Sequence, residues 1–205
     1  MYTSHVEPTY LDRHPKVRDA LNFLVFVILV IIGTVLINTY IFRSFSVVGP
    51  SMETTMYTSD RLIVNRIPVT IANLQNESYI PDRGQIVVFK NPRFVEGARE
   101  EYIVKRVIAF PSERVTVKDG VLSVYNDEHP DGYQPDETFK HGTPSSPSSG
   151  DTDMVVPDGT LFVAGDHREG QFSLDSRNQL GTIPYFDIIG PVSVRIWPLP
   201  KITTF

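Results

Sequence analysis

The chain has 205 residues, a formal net charge of -5 at pH 7 and no cysteine. That length suits one ordinary domain with an appendage. The absence of cysteine excludes thiol catalysis, disulfides and thiolate metal sites, and the mild acidity offers no footprint for nucleic acid.

The appendage comes first. Arg13, Lys16 and Arg18 precede an uncharged run over residues 21–42, from Leu21 to Phe42. As a helix this run is about 33 Å long, enough to cross a bilayer core of about 30 Å. The apolar stretch of a cleaved secretory signal covers only about 7 to 15 residues. A permanent transmembrane helix is therefore predicted over 21–42, with the lipid bilayer as its partner. The cations before the run, against Arg43 and Arg61 after it, place residues 1–20 in the cytoplasm and residues 43–205 outside it.

Residues 43–205 alternate short apolar runs with turn residues and show no long helical period, so this domain is predicted to be mostly β. Strands are expected at Phe45–Val48, Arg61–Arg66, Gln85–Lys90, Tyr102–Phe110, Arg114–Lys118, Val121–Tyr125, Thr160–Ala164 and Ile188–Trp197, with a turn or more of helix within Val69–Tyr79. Asp119-Gly120 marks a hairpin, because these residues tolerate the positive φ angles of a tight primed turn. Residues 126–157 are rich in Pro, Ser, Gly and Asp and read as a long exposed insertion. His129 and His141 lie there among acidic residues without ligand spacing, so no metal and no cofactor is expected.

Three segments carry candidate chemistry. With a period of two, Lys105 shares a strand face with Ile103, Val107 and Ala109, while Arg106 shares the other with Tyr102, Val104 and Ile108. A lysine pKa of about 10.4 can fall by several units on burial, which makes the amine a usable base; arginine stays charged. Taken alone, a lysine stem lying along apolar surface with its ammonium in water is the simpler account. Ser51 follows a break at Gly49-Pro50, within about 30 Å of the membrane surface along the chain. A serine nucleophile needs a base. His5 and His14 precede the anchor and His129 and His141 lie in the insertion, which leaves His167 and Lys105. The third segment, Gly165 to Gly181, is dense in small and charged residues. Asp166, Arg168, Asp175 and Arg177 can form ion pairs that fix an irregular loop, and Ser173 and Ser176 can orient an amine. A well-bonded β loop without chemistry fits that segment equally well.

Taken together and in order, Ser51-Met52-Glu53-Thr54-Thr55, Asp60-Arg61-Leu62-Ile63-Val64, the run from Lys105 to Glu113 and the run from Gly165 to Arg177 resemble the bacterial type I signal peptidases. The compact outer domain is similar to the short Gram-positive form. The resemblance covers nearly all of the chain after its first twenty residues. It implies an antiparallel β domain of the signal peptidase I type, carried on one transmembrane helix and acting as a serine protease with a Ser-Lys dyad. Its partners would be exported preproteins whose signal peptides have small residues at the first and third positions before the cut. By matching position Ser51 is the nucleophile and Lys105 the general base. Ser173 orients the lysine amine, Asp175 and Arg177 form a structural pair beneath the site, Arg106 is a structural cation, and Met52 lines the substrate cleft. The Ser51 backbone N–H is one oxyanion donor. The second is unassigned, since Gly49 stands where many relatives carry a hydroxyl.

The departures are specific. Thr54 replaces a proline, Ala109 and Ser112 replace glycines, Glu113 replaces an aspartate and His167 an asparagine, and the loop before Ser173 is longer. A glycine needing positive φ cannot simply become alanine or serine, so the turn after Lys105 is expected to differ. These changes suggest an active but divergent peptidase with a narrow substrate set, such as surface or pilin-like proteins. The alternative is an inert, membrane-tethered relative that assists assembly of exported surface proteins.

Overall fold

The computed structural model describes residues 13–97 and 101–205; His5 and residues 1–12 of the N-terminal segment lie outside the described residues. Helix α1, Pro15–Leu36, opens on a proline, where the missing N–H costs nothing, and loosens into a π-helical turn at Ile37–Ile41. None of its residues is buried against the rest of the chain, and as far as Ile41 the helix is long and apolar enough to cross a membrane. The helix begins six residues before the uncharged run. Apolarity marks what lipid accepts, whereas helix limits follow backbone hydrogen bonding, which Lys16, Arg18 and Asp19 continue.

Strand β1, Phe42–Ser46, follows the π-helical turn directly, three residues earlier than expected. The others are β2 Arg61–Asn65, β3 Ile86–Lys90, β4 Tyr102–Ala109, β5 Arg114–Lys118, β6 Val121–Tyr125, β7 Thr152–Val155, β8 Thr160–Ala164, β9 Ile183–Pro184, β10 Ile188–Trp197 and β11 Thr203–Thr204. Helix α2, Ile67–Leu74, lies between β2 and β3. One sheet runs β1-β2-β10-β3-β4-β8-β9 with β11 beside β10, and a small sheet runs β6-β5-β7. Every named pairing is antiparallel. The β5–β6 hairpin turns at Asp119 (φ 51°) and Gly120 (φ 80°), both positive as a primed turn requires.

Strand β4 explains the awkward lysine. It gives Ile103 and Val107 to one apolar cluster, Ile108 and Ala109 to a second, and Val104 packs against a third. Both faces of the strand are therefore covered. Lys105 is 3% exposed and Arg106 1%, so the solvent-facing lysine that a strand edge would allow is not what the fold contains.

One expectation about the loops needs correction. The 126–157 insertion is not simply solvated: β7 adds to the small sheet beside β5, and Pro135 and Ser148 are buried. Turn-rich composition records where the chain bends and carries no record of what the bends pack against. In the turn after Lys105, Ser112, which stands where the pattern has glycine, takes a left-handed φ of 67° with its N–H on the Val156 carbonyl at 3.0 Å. Ala109 ends β4 and needs no special backbone.

Glu113, which stands where the pattern has aspartate, braces that turn. It accepts from Arg83 Nη2 at 2.6 Å, Asn126 Nδ2 at 2.8 Å and the Phe110 N–H at 2.8 Å. Burial pushes its carboxyl up, but these donors together outweigh burial and hold it below the usual carboxylate range. Its contribution is therefore full above the unfolded value of about 4.3 and is lost as the pH falls through the lower folded value. In urea titrations E113Q should be clearly less stable than the parent near neutrality, with the two midpoints converging as the pH falls below the unfolded carboxyl value of about 4.3. A gap that stays constant into acid would contradict this role.

Candidate active site

Strand β1 leads through Val47, Val48 and Gly49 (φ 91°) into the turn that carries Ser51. Hydrogen bonds from several elements hold this turn. The Glu53 N–H donates to Pro50 O at 2.9 Å, Met56 N–H to Met52 O at 2.8 Å, Gly49 N–H to Thr58 Oγ1 at 3.1 Å and His167 N–H to Ser51 O at 3.1 Å. Thr54 Oγ1 donates to Thr143 O at 2.7 Å, which ties the turn to the insertion. Opposite Ser51, the Lys105 amine donates to Ser51 Oγ at 2.7 Å and to Val104 O at 2.9 Å. The structure thus brings together the two side chains that the sequence placed 54 positions apart. They open on a cleft of about 560 Å³, lined by Val47, Val48, Tyr102, Val104, Phe172 and Leu174 among others.

Beneath them lies the loop after β8. Gly165 touches both sides: a Cβ there would collide with the Ser51 carbonyl oxygen and with Ser173 Oγ. Only glycine lets the loop, the serine turn and Ser173 approach this closely. Ser173, 2% exposed, donates to Asp175 Oδ2 at 2.5 Å. Asp175 also accepts from the Gly165 N–H at 2.9 Å and from the Arg177 guanidinium at 2.7 and 3.0 Å. Burial pushes the Asp175 carboxyl up, yet Arg177, the Gly165 N–H and the Ser173 hydroxyl outweigh burial and hold it below the usual range. It stays an anion, and so keeps accepting the Ser173 proton.

The other charges reach further than expected. Within the Gly165 to Gly181 segment Asp175 pairs with Arg177. Asp166 instead takes Arg106 from β4, at 2.8 and 2.5 Å, and Thr55 Oγ1 at 2.5 Å. Arg168, with no exposure, binds Asp136 of the insertion at 2.5 and 2.7 Å. Asp136 lies 32 positions away and gave no local signal. Met52 is also corrected: it is fully buried beside Met56, Leu62 and Val64 and does not line the cleft, because the turn that exposes Ser51 directs the next side chain inward. His167 stacks on Phe172 at 4.7 Å, and its Nδ1 lies 3.3 Å from Pro50 O. Gly49 offers no hydroxyl to the cleft. Sequence reasoning passed over Phe172 and Thr143; the added length before Ser173 and the missing proline at Thr54 were their only signals. His129 and His141 take no part, and among the described residues no cluster of His, Cys, Asp and Glu could hold a metal ion.

Comparison with known proteins places the chain in a family. The chain is 27% identical over 191 residues to signal peptidase I P of Bacillus subtilis subsp. natto, spanning 91% of this chain and 94% of that one. It is 30% identical over 192 residues to signal peptidase I of Bacillus amyloliquefaciens, spanning 93% and 95%. It is 31% identical over 187 residues to signal peptidase IB of Staphylococcus aureus, spanning 86% of each. A crystal structure of a signal peptidase I from Enterococcus faecalis is similar at 24% identity and a TM-score of 0.36, covering 56% of this chain and 97% of that one. The profile of the family described as signal peptidase, peptidase S26, matches residues 19–197, and the chain belongs to that family.

Proposed function

We propose that this chain is a membrane-anchored serine endopeptidase that removes signal peptides from exported preproteins by a Ser51–Lys105 dyad. Its N-terminus lies in the cytoplasm and its β domain outside. The observation that carries the reading is a lysine amine, buried between covered faces of β4, 2.7 Å from a serine hydroxyl at the floor of an open cleft.

In this mechanism a neutral Lys105 amine takes the Ser51 proton as Oγ attacks the carbonyl at the cleavage site. The Ser51 N–H donates to the developing oxyanion. The carbon–nitrogen bond then breaks, and the Lys105 ammonium gives its proton to the leaving amine. A water, deprotonated by Lys105, attacks the acyl ester, and the proton returns to Ser51 as the new carboxylate leaves. Ser173 orients the amine through its oxygen: its own proton goes to Asp175, which leaves lone pairs to accept from Lys105.

Thr54 is a positioning residue in this reading, because its hydroxyl holds the serine turn against Thr143. Thr54→Val should lower kcat about three- to tenfold, the loss of one hydrogen bond, with KM little changed. Thr54→Ser should restore most of the rate. A lowered KM-independent rate that serine does not rescue would assign Thr54 to packing alone.

The test of the function uses the full-length protein in lipid vesicles and a preprotein, with the new N-terminus identified by mass spectrometry. Cleavage after a small residue, lost in Ser51→Ala, supports the peptidase. Binding without cleavage at every pH tried would return the inert, membrane-tethered reading.

A further inference from the structure

We infer that Phe172 and Leu174 form a subsite for an aromatic or branched apolar side chain on the first residue after the cleaved bond, on the mature side of the exported protein. This inference rests on the Ser51–Lys105 reading above.

Phe172 is 58% exposed and Leu174 37%, and both side chains line the cleft that holds Ser51 and Lys105. An aromatic ring left this open forgoes much of the free energy that burial would bring. Here it is nonetheless held in place. The ring stacks on His167 at 4.7 Å and an interplanar angle of 30°, with Gly170 leaving room beside it. His167 is in turn fixed to the nucleophile's own turn, through its N–H to Ser51 O at 3.1 Å and its ring at Pro50 O. The open ring is thus mounted on the catalytic turn. The two departures of this loop from the signal peptidase pattern meet at this point. The added length before Ser173 carries Phe172 back, and the histidine in place of asparagine supplies the flat surface that receives it.

The side of the cut follows from the path of the proton. The leaving amine must reach Lys105 to be protonated, and Ser173, which in this reading orients the Lys105 amine, lies between Phe172 and Leu174 in the chain. The other apolar wall, Val47 and Val48 just after β1 with Tyr102 and Val104 of β4, suits the extended segment that leads up to the carbonyl. The residue attached to the leaving amine therefore meets the Phe172 loop. Continuity with the reactive pair, and apolar chemistry on both side chains, favour an apolar occupant.

Matched peptides that differ only in the first residue after the cut, phenylalanine or alanine, read this out with the full-length protein in vesicles. The parent should show a kcat/KM ratio favouring phenylalanine, and Phe172→Ala should lower that ratio about tenfold, the discrimination expected of one apolar pocket. His167→Ala should lower it in part by freeing the ring, and Phe172→Tyr should keep it. An unchanged ratio in Phe172→Ala, or a change confined to preferences before the cut, overturns the subsite. Cleavage that persists in Ser51→Ala overturns the dyad instead, so the two failures are distinct.

Discussion

Lys105→Arg should abolish cleavage, with kcat lowered about a thousandfold or more and KM changed far less. Arginine keeps the positive charge, much of the reach and a donor for Ser51 Oγ, so a lysine that served only as a structural cation would be replaced with modest loss. A base cannot be replaced in this way, because guanidinium does not release its proton in a protein. The buried setting sharpens the contrast, since little water reaches the amine to substitute for it; Lys105 is 3% exposed and its amine touches Ser51 Oγ at 2.7 Å. Lys105→Ala should match the arginine variant, and Ser51→Ala should match both, because residues acting as one unit are not additive. Initial rates on a fluorogenic peptide would show it. Retention of even a tenth of the parent rate in Lys105→Arg would remove lysine from the chemistry.

Asp166→Ala should cost about 3 to 5 kcal/mol of stability, because it strands a buried guanidinium. Arg106 and Asp166 are 1% and 0% exposed, and the other partners of Arg106, the Gly84 carbonyl at 2.8 Å and the Phe139 ring at 4.8 Å, bring no full countercharge. The same carboxylate holds Thr55, next to the residue that ties the serine turn to the insertion. Activity should therefore fall with stability in this variant. Replacing Arg106 and Asp166 together with apolar residues of similar volume should recover much of the loss, since the cost lies in the unpaired charge more than in the missing bond. Thermal and urea unfolding of the two single variants and the double variant measure this directly. A loss below about 1 kcal/mol in Asp166→Ala would mean that water reaches Arg106 and that the pair resembles a surface one. The exposed pair Arg114–Asp153, at 2.6 Å, is the internal comparison and should contribute far less despite equally good geometry.

Much of the β framework was legible because it depends on local pattern. Strands β5, β6, β8 and β10 occupy the residues their apolar runs predict, and the Asp119-Gly120 turn follows from backbone sterics alone. Strand β7 escaped because Thr152–Val155 is short and gains its order from pairing with β5. Helix α2, expected as a turn or more of helix within Val69–Tyr79, runs over Ile67–Leu74, since the limits of a helix this short are decided by what it packs against. Met52 was misplaced because its position beside Ser51 does not determine its direction. One residue of turn separates a side chain that meets the cleft from one buried in the core.

By itself the sequence determined an uncharged span long enough for a bilayer, a β domain, and a short set of residues able to do acid–base chemistry, for these depend on composition and neighbours in the chain. Local pattern alone put the Lys105 amine in water, and its role as the general base rested on the resemblance. Only the tertiary structure decided where that amine lies, by covering both faces of β4, setting the amine 2.7 Å from Ser51 and drawing Asp136 and Thr143 from the insertion into the support of the loop and the turn. The physical reason is that burial and charge pairing are properties of distance in space, and the groups that satisfy Lys105, Arg106 and Arg168 lie tens of residues away along the chain.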